Sequence, residues 1–139
     1  MTVIAVKDGV IAADSMVSSG GVLSGTTDKI YAVCEAHGGG YVAGCGELQF
    51  VQPGCRSFAT TGQIEPSGGV SFLHLSSDGV YRENNGAGWY AFNAPFYAIG
   101  TGADIALGAM AAGASAREAV EIACRLSAQC CEPIMECGL

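Results

Sequence analysis

Positive charge is scarce in this chain. Six basic residues stand against thirteen acidic ones, for a formal net charge of −7 at pH 7. The basic residues, Lys7, Lys29, Arg56, Arg82, Arg117 and Arg125, are scattered singly. No stripe of them can neutralise a row of phosphates, which disfavours nucleic-acid binding and attachment to an anionic membrane. Long apolar runs are also missing. No stretch reaches the roughly 18 residues of a membrane-spanning helix. The apolar start at residues 2–6 stops at Lys7 and Asp8, too early for a secretory signal. Histidine occurs twice, as His37 and His74, and neither lies beside a nucleophile motif. Gly-x-Ser-x-Gly is absent, and so are the glycine-rich phosphate loops. Gly100-Thr101-Gly102 ahead of a helical stretch offers backbone donors, a weak signal by itself.

Seven cysteines, an odd number, argue against a closed disulfide set. The expectation is a reduced, cytoplasmic protein with buried thiols. Cys124, Cys130, Cys131 and Cys137 form a C-terminal group that suggests a metal or redox protein as one rival reading. It lacks a Cys-x2-Cys pair and a nearby histidine, so no metal and no cofactor are expected.

What the chain does have is apolar content, at half of its 139 residues, and 21 glycines. A single domain over residues 1–139 follows from the length. Such a chain can bury roughly two-thirds of its unfolded surface, enough for a real core. Low charge and many small residues also suit subunit contacts. Residues 2–6 and 10–13 read as a buried hairpin around Asp8-Gly9. A turn is expected over 18–21 and a short strand at 22–23. Further strands are expected at 29–34, 41–43, 70–75, 80–83, 89–92 and 96–99. Turns fall at 37–40 and 77–79, and loops at 63–69 and 84–88. Between 47 and 59 there is room for one short helix, with Pro53-Gly54 expected to interrupt it. The last third is helical. One helix spans 103–112 and breaks at Gly113. A second opens with a capping box, Ser115 to Glu118, and fades near 130–133 into a short tail. Strands followed by helices predict an α+β fold with a mainly antiparallel sheet.

Thr2 is the notable nucleophile candidate. Met1 precedes a small side chain and is open to removal. Thr2 would then carry a hydroxyl and a free α-amine, which titrates near about 7.7–8.0 against about 10.4 for lysine. Such an amine can accept the hydroxyl proton at neutral pH. From position alone, Thr2 is better read as a β-branched start to a strand, because many proteins have threonine second.

Five segments, in order, carry a resemblance. The opening runs Thr2-Val3-Ile4-Ala5-Val6-Lys7-Asp8-Gly9-Val10-Ile11-Ala12-Ala13-Asp14-Ser15, and Lys29 follows after a second hairpin. Then come Tyr41-Val42-Ala43-Gly44-Cys45-Gly46, Tyr97-Ala98-Ile99-Gly100-Thr101-Gly102-Ala103 and Ser115-Ala116-Arg117-Glu118-Ala119-Val120. Together they resemble the proteasome β-subunits, which are N-terminal-nucleophile hydrolases, and the related bacterial ATP-dependent protease subunit.

The resemblance implies a four-layer α-β-β-α sandwich of two antiparallel sheets, shortened in the middle and at the C-terminus. It implies hydrolysis of peptide or amide bonds by Thr2, in a peptide or protein substrate. Lys29 would favour the Thr2 alkoxide, Asp14 would hold Lys29, and the Gly44 N–H would stabilise the oxyanion, with Gly46 as second choice. Thr101 stands where the family usually has serine and would bond the α-amine. Met16 follows Asp14-Ser15 where those subunits often carry a basic residue. A homo-oligomeric ring is implied, and an ATP-driven unfoldase partner by analogy only. The rival within the same fold is a non-catalytic subunit that assembles as a structural or scaffolding ring. Intact mass separates the two. The active form is expected to have lost Met1, whereas a persistent Met1 favours the scaffold.

Overall fold

The computed structural model describes residues 2–19, 22–65, 68–127 and 133–139. Chain order gives strands β1 (Val3–Lys7), β2 (Val10–Ala13), β3 (Met16–Ser19), β4 (Val22–Thr26), β5 (Ile30–Ala32) and β6 (Tyr41–Cys45), then helix α1 (Leu48–Thr61). Next come β7 (Ser71–Leu75), β8 (Tyr81–Asn84), β9 (Trp89–Phe92) and β10 (Phe96–Gly100). Helices α2 (Ala103–Ala111) and α3 (Ala116–Leu126) follow, and β11 (Met135–Gly138) closes the described chain. The class is α+β, as the sequence predicts.

The first sheet has the order β10-β1-β2-β11 and the second is a meander, β5-β6-β7-β8-β9, with β3 and β4 as a separate hairpin. All of these pairings are antiparallel. Asp8 and Gly9 both take positive φ, 53° and 74°, and close the β1–β2 hairpin.

Residues of β1 are buried on both faces because each face meets a different layer. Val3 and Ala5 pack with Ala12, Ala98 and the α2–α3 residues Ala106, Met110, Ala119, Val120 and Ala123. Ile4 and Val6 pack with Ile11, Ala13 and Ile99 against Ala43, Leu73, Leu75 and Tyr81 of the second sheet. The far face of that sheet, Val42 and Phe72, meets Val51, Cys55 and Phe58 of α1. Small residues let α2 and α3 lie close to the first sheet, and Lys7 fastens their junction. Its ammonium donates to the carbonyls of Met110 (3.2 Å) and Ala114 (2.8 Å), where a helix C-terminus favours a cation. The capping box of α3 is present: Ser115 Oγ accepts from the Glu118 amide, and Glu118 Oε1 accepts from the Ser115 amide.

Four expectations need correction. First, Pro53 does not interrupt α1, which runs through it. Proline forfeits one bond, to the carbonyl of exposed Gln49, which water can reach. Gly54 is a packing glycine: a Cβ there would lie 2.6 Å from Phe72 Cζ, so its bare face lets α1 settle on the sheet. Second, the turn placed at 18–21 is too early, because Ser18 and Ser19 pair with Leu23 and Val22 in a full hairpin. The tip of that hairpin lies outside the described residues. Third, the tail is a strand, since β11 pairs along β2 from Met135↔Ala13 to Gly138↔Val10. Met-Glu-Cys-Gly has little intrinsic strand preference, so the waiting edge of β2 decides it. Fourth, α3 ends at Leu126, and the fade expected at 130–133 falls largely on residues outside those described.

Met110 is 1% exposed at the centre of the α2–α3 layer. Met110→Ala is expected to lower stability by about 2–5 kcal/mol, the usual range for emptying a core methionine site. Denaturant unfolding measures it.

Candidate active site

Strand parity aims Thr2 at the interior. It precedes Val3 and shares a face with Ile4 and Val6, so its side chain turns toward the second sheet. Only 7% of Thr2 is exposed. The β10–α2 turn holds its backbone. The Gly102 amide donates to the Thr2 carbonyl at 3.3 Å, and a Cβ on Gly100 would sit 2.1 Å from that same oxygen. Gly100 also has φ 99°, so glycine is required there on both counts.

Asp14 follows β2 and is fully buried. Its Oδ1 accepts from the Val3 amide (3.0 Å) and its Oδ2 from the Met16 amide (3.2 Å), while its own amide donates to the Val3 carbonyl (3.2 Å). The carboxylate is thereby fixed beside the first residues of β1. Lys29, just before β5 and 4% exposed, reaches it with Nζ–Oδ1 at 3.0 Å. The same ammonium donates to Thr2 Oγ1, also at 3.0 Å. So the three residues singled out in the sequence, 12 and 15 positions apart along the chain, converge in one buried chain of charge-assisted hydrogen bonds.

Thr2 and Lys29 also line a cleft with Asp28, Tyr31, Gly44, Gly46, Leu48, Val51 and Gln52. Gly44 and Gly46 both belong to this wall, and neither tolerates a side chain. A Cβ on Gly44 would meet Phe72 Cδ1 at 2.8 Å, and one on Gly46 would meet the Gly69 carbonyl at 2.5 Å. Thr101 is exposed in the β10–α2 turn, between the two glycines that contact the Thr2 carbonyl.

Several rival nucleophiles and bases fare poorly. Burial pushes the Cys55 thiol up to about 12, and also raises Cys45 and Cys137, so their thiolates are scarce at neutral pH. His74 is fully buried, and burial holds it below its ordinary value. Its Nε2 meets the Gly39 carbonyl at 2.7 Å and its Nδ1 lies 3.4 Å from Arg82 Nη1, a pattern that a neutral, structural imidazole satisfies. Of the C-terminal cysteines, Cys124 packs with the α2–α3 layer and Cys137 with the cluster between the sheets, on opposite faces of the first sheet. Cys130 and Cys131 lie outside the described residues, and among those described no group of His, Cys, Asp or Glu has metal-binding geometry.

Sequence reasoning missed the cleft's side walls, Asp28, Tyr31, Leu48, Val51 and Gln52. Asp28 and Tyr31 flank Lys29 in sequence, which is a usable signal; the α1 residues carry none. It also missed Glu83, a buried carboxylate whose Oε2 accepts from Tyr90 and Tyr97, each at 2.8 Å. Tyr97 belongs to the first sheet and Glu83 to the second, so this contact pins the sheets together. Burial and the Glu83 carboxylate raise the Tyr97 phenol well above its ordinary value.

No protein-family model matches the sequence, and no curated protein sequence matches it. Solved structures do match in fold. Thiobacillus denitrificans BPH in complex with epoxomicin is 21% identical, with a TM-score of 0.73 over 99% of this chain and 97% of that one. BPH from the same organism in another structure is 20% identical, with a TM-score of 0.73 over 99% and 96%. Eukaryotic HslV from Trypanosoma brucei is 16% identical, with a TM-score of 0.67 over 98% and 97%. The chain therefore has the proteasome-like fold of BPH and HslV, the one its ordered segments resemble. A single helix, α1, stands between β6 and β7 among the described residues.

Asp14 anchors two backbone amides and an ammonium. Asp14→Ala would remove the carboxylate that pairs with the buried Lys29 ammonium. It is expected to cost about 3–5 kcal/mol, the range for breaking a buried pair. Denaturant unfolding measures it, and a loss below about 1 kcal/mol would contradict the arrangement.

Proposed function

We propose that this chain is a threonine-type peptidase or amidohydrolase that uses Thr2 as nucleophile once Met1 has been removed. The observation that carries the reading is the Lys29 ammonium, 3.0 Å from both Thr2 Oγ1 and Asp14 Oδ1, at the edge of a cleft lined by Gly44 and Gly46. The peptidase activity of HslV-like proteins is consistent with it. So is the layering of α2–α3, two sheets and α1, which we read as the four-layer α-β-β-α sandwich of N-terminal-nucleophile hydrolases.

Lys29 donates to a lone pair of Oγ1, so it acts as an electrostatic support while the Oγ1 proton goes to the freed α-amine of Thr2, directly or through a water. Oγ1 attacks the substrate carbonyl. The Gly44 N–H, or that of Gly46, stabilises the resulting oxyanion, a donor role whose loss costs about 10²–10³ in rate elsewhere. The α-ammonium returns its proton to the leaving amine, the C–N bond breaks, and an ester forms on Thr2. Water, deprotonated by the same amine, then attacks the ester and releases the acid and Oγ1–H. Asp14 holds Lys29 in place, and Thr101 helps to hold the amine. Residue for residue, this is the assignment that the sequence suggests for Thr2, Asp14, Lys29, Gly44 and Thr101.

We further propose assembly as a homo-oligomeric ring in the cytoplasm, with an ATP-driven unfoldase as a partner by analogy. Among the described residues no helix is long and apolar enough to cross a membrane.

Thr2→Ala is expected to abolish hydrolysis of small peptide or amide substrates, while Thr2→Ser, which keeps a hydroxyl and an N-terminal amine, is expected to retain it in part. Activity retained in Thr2→Ala, assayed on a sample of verified N-terminal mass, would point to a different nucleophile. Protein that keeps Met1, shows no turnover and still assembles would favour the scaffolding reading.

A further inference from the structure

The cleft beside Thr2 has a chemical bias that hydrolysis alone does not require. Its surfaces nearest Thr2 are bare backbone at Gly44 and Gly46, and its sides are apolar at Leu48 and Val51. Apart from Lys29 and the backbone amides of Gly44 and Gly46, its polar groups are mainly acceptors. Gln52 spends one amide N–H on Thr27 Oγ1 at 2.9 Å, which leaves its carbonyl oxygen and its second N–H for a guest. Tyr31 spends its hydroxyl proton on the Asp28 carbonyl at 3.3 Å. Asp28 is exposed and brings an acidic residue to the lining. Lys29 is engaged with Asp14 and Thr2. Arg56, one turn beyond Gln52 on α1, is exposed and lies outside the lining, though its charge acts on the Tyr31 hydroxyl.

A guest that suits such a cleft has an apolar stem and a cationic, donor-bearing end. The methylenes of a lysine or arginine side chain would run along Leu48 and Val51, with the head at Asp28 and the Gln52 carbonyl. An acidic end would meet the like charge of Asp28 there. An aliphatic end fits the walls, and because Asp28 is exposed, water satisfies the carboxylate in that case. The discrimination expected from one exposed charge is therefore moderate, about fivefold. The chain's net charge of −7 favours the approach of basic peptides as well.

We propose that this cleft receives the side chain on the acyl side of the scissile bond and prefers a lysine- or arginine-type residue there, with Asp28 as the specificity-determining residue. The proposal rests on the Thr2 hydrolase reading. It is tested on the full chain, with loss of Met1 verified by mass, using four fluorogenic peptides that differ only in that residue: Arg, Lys, Leu and Glu. The expected order of kcat/KM is basic, then Leu, then Glu. Asp28→Asn is expected to lower the Arg-to-Leu ratio about fivefold, and Asp28→Lys to reverse the order of Arg and Glu. Because the readout is a ratio within one preparation, partial misfolding of a variant cancels. Leu or Glu turned over by the unmodified chain as well as Arg, or a ratio that Asp28→Asn does not move, would overturn the preference and leave the hydrolase reading standing. No turnover of any of the four would overturn the hydrolase reading and the preference with it.

Discussion

The buried pair of Asp14 and Lys29 is the constraint around which the rest of the site is arranged. Two charges so far from water are costly, and such pairs are weak devices for stability. This one is supported on every side that the described contacts reveal. Asp14 takes the Val3 and Met16 amides, and Lys29 takes Thr2 Oγ1. The pair thereby fixes three chain segments relative to one another: the start of β1, the end of β2 and the approach to β5. A stability role alone would be served as well by packed apolar residues. Its placement against a threonine hydroxyl at a cleft makes chemistry the better account.

The layers explain how the pair can exist in a small domain. β1 is covered by α2 and α3 on one face and by the second sheet on the other, which makes Thr2 and the residues of β1 interior ones. Termini are ordinarily the loosest part of a fold. Here the Gly100–Gly102 turn closes on the Thr2 carbonyl so tightly that a side chain at Gly100 would collide with it. Glu83, shared by Tyr90 and Tyr97, adds a polar tie between the two sheets.

Much of this was legible in the residues. The continuous apolar run of β1, the Asp8-Gly9 turn and the Ser115–Glu118 capping box are local signals, and they read correctly because local chemistry decides them. The convergence of Thr2, Asp14 and Lys29 came from the order of family-like segments, since no local rule brings three such distant positions together. What escaped is what tertiary context decides. α1 runs through Pro53 because its apolar face packs on Phe72 and Val42, and β11 forms because an edge of β2 is available. Gln52 and Val51 reach the cleft only through the placement of α1, which no periodicity in the sequence encodes.

The central claim is that Thr2 is a nucleophile supported by Lys29. The most direct measurement is the mass of the N-terminal peptide after the purified protein has been incubated with a peptidyl electrophile and digested. The account predicts a covalent adduct on Thr2 of chains that lack Met1, and its loss in Lys29→Met. An unmodified Thr2 in chains without Met1, or an adduct carried by a cysteine instead, would contradict it.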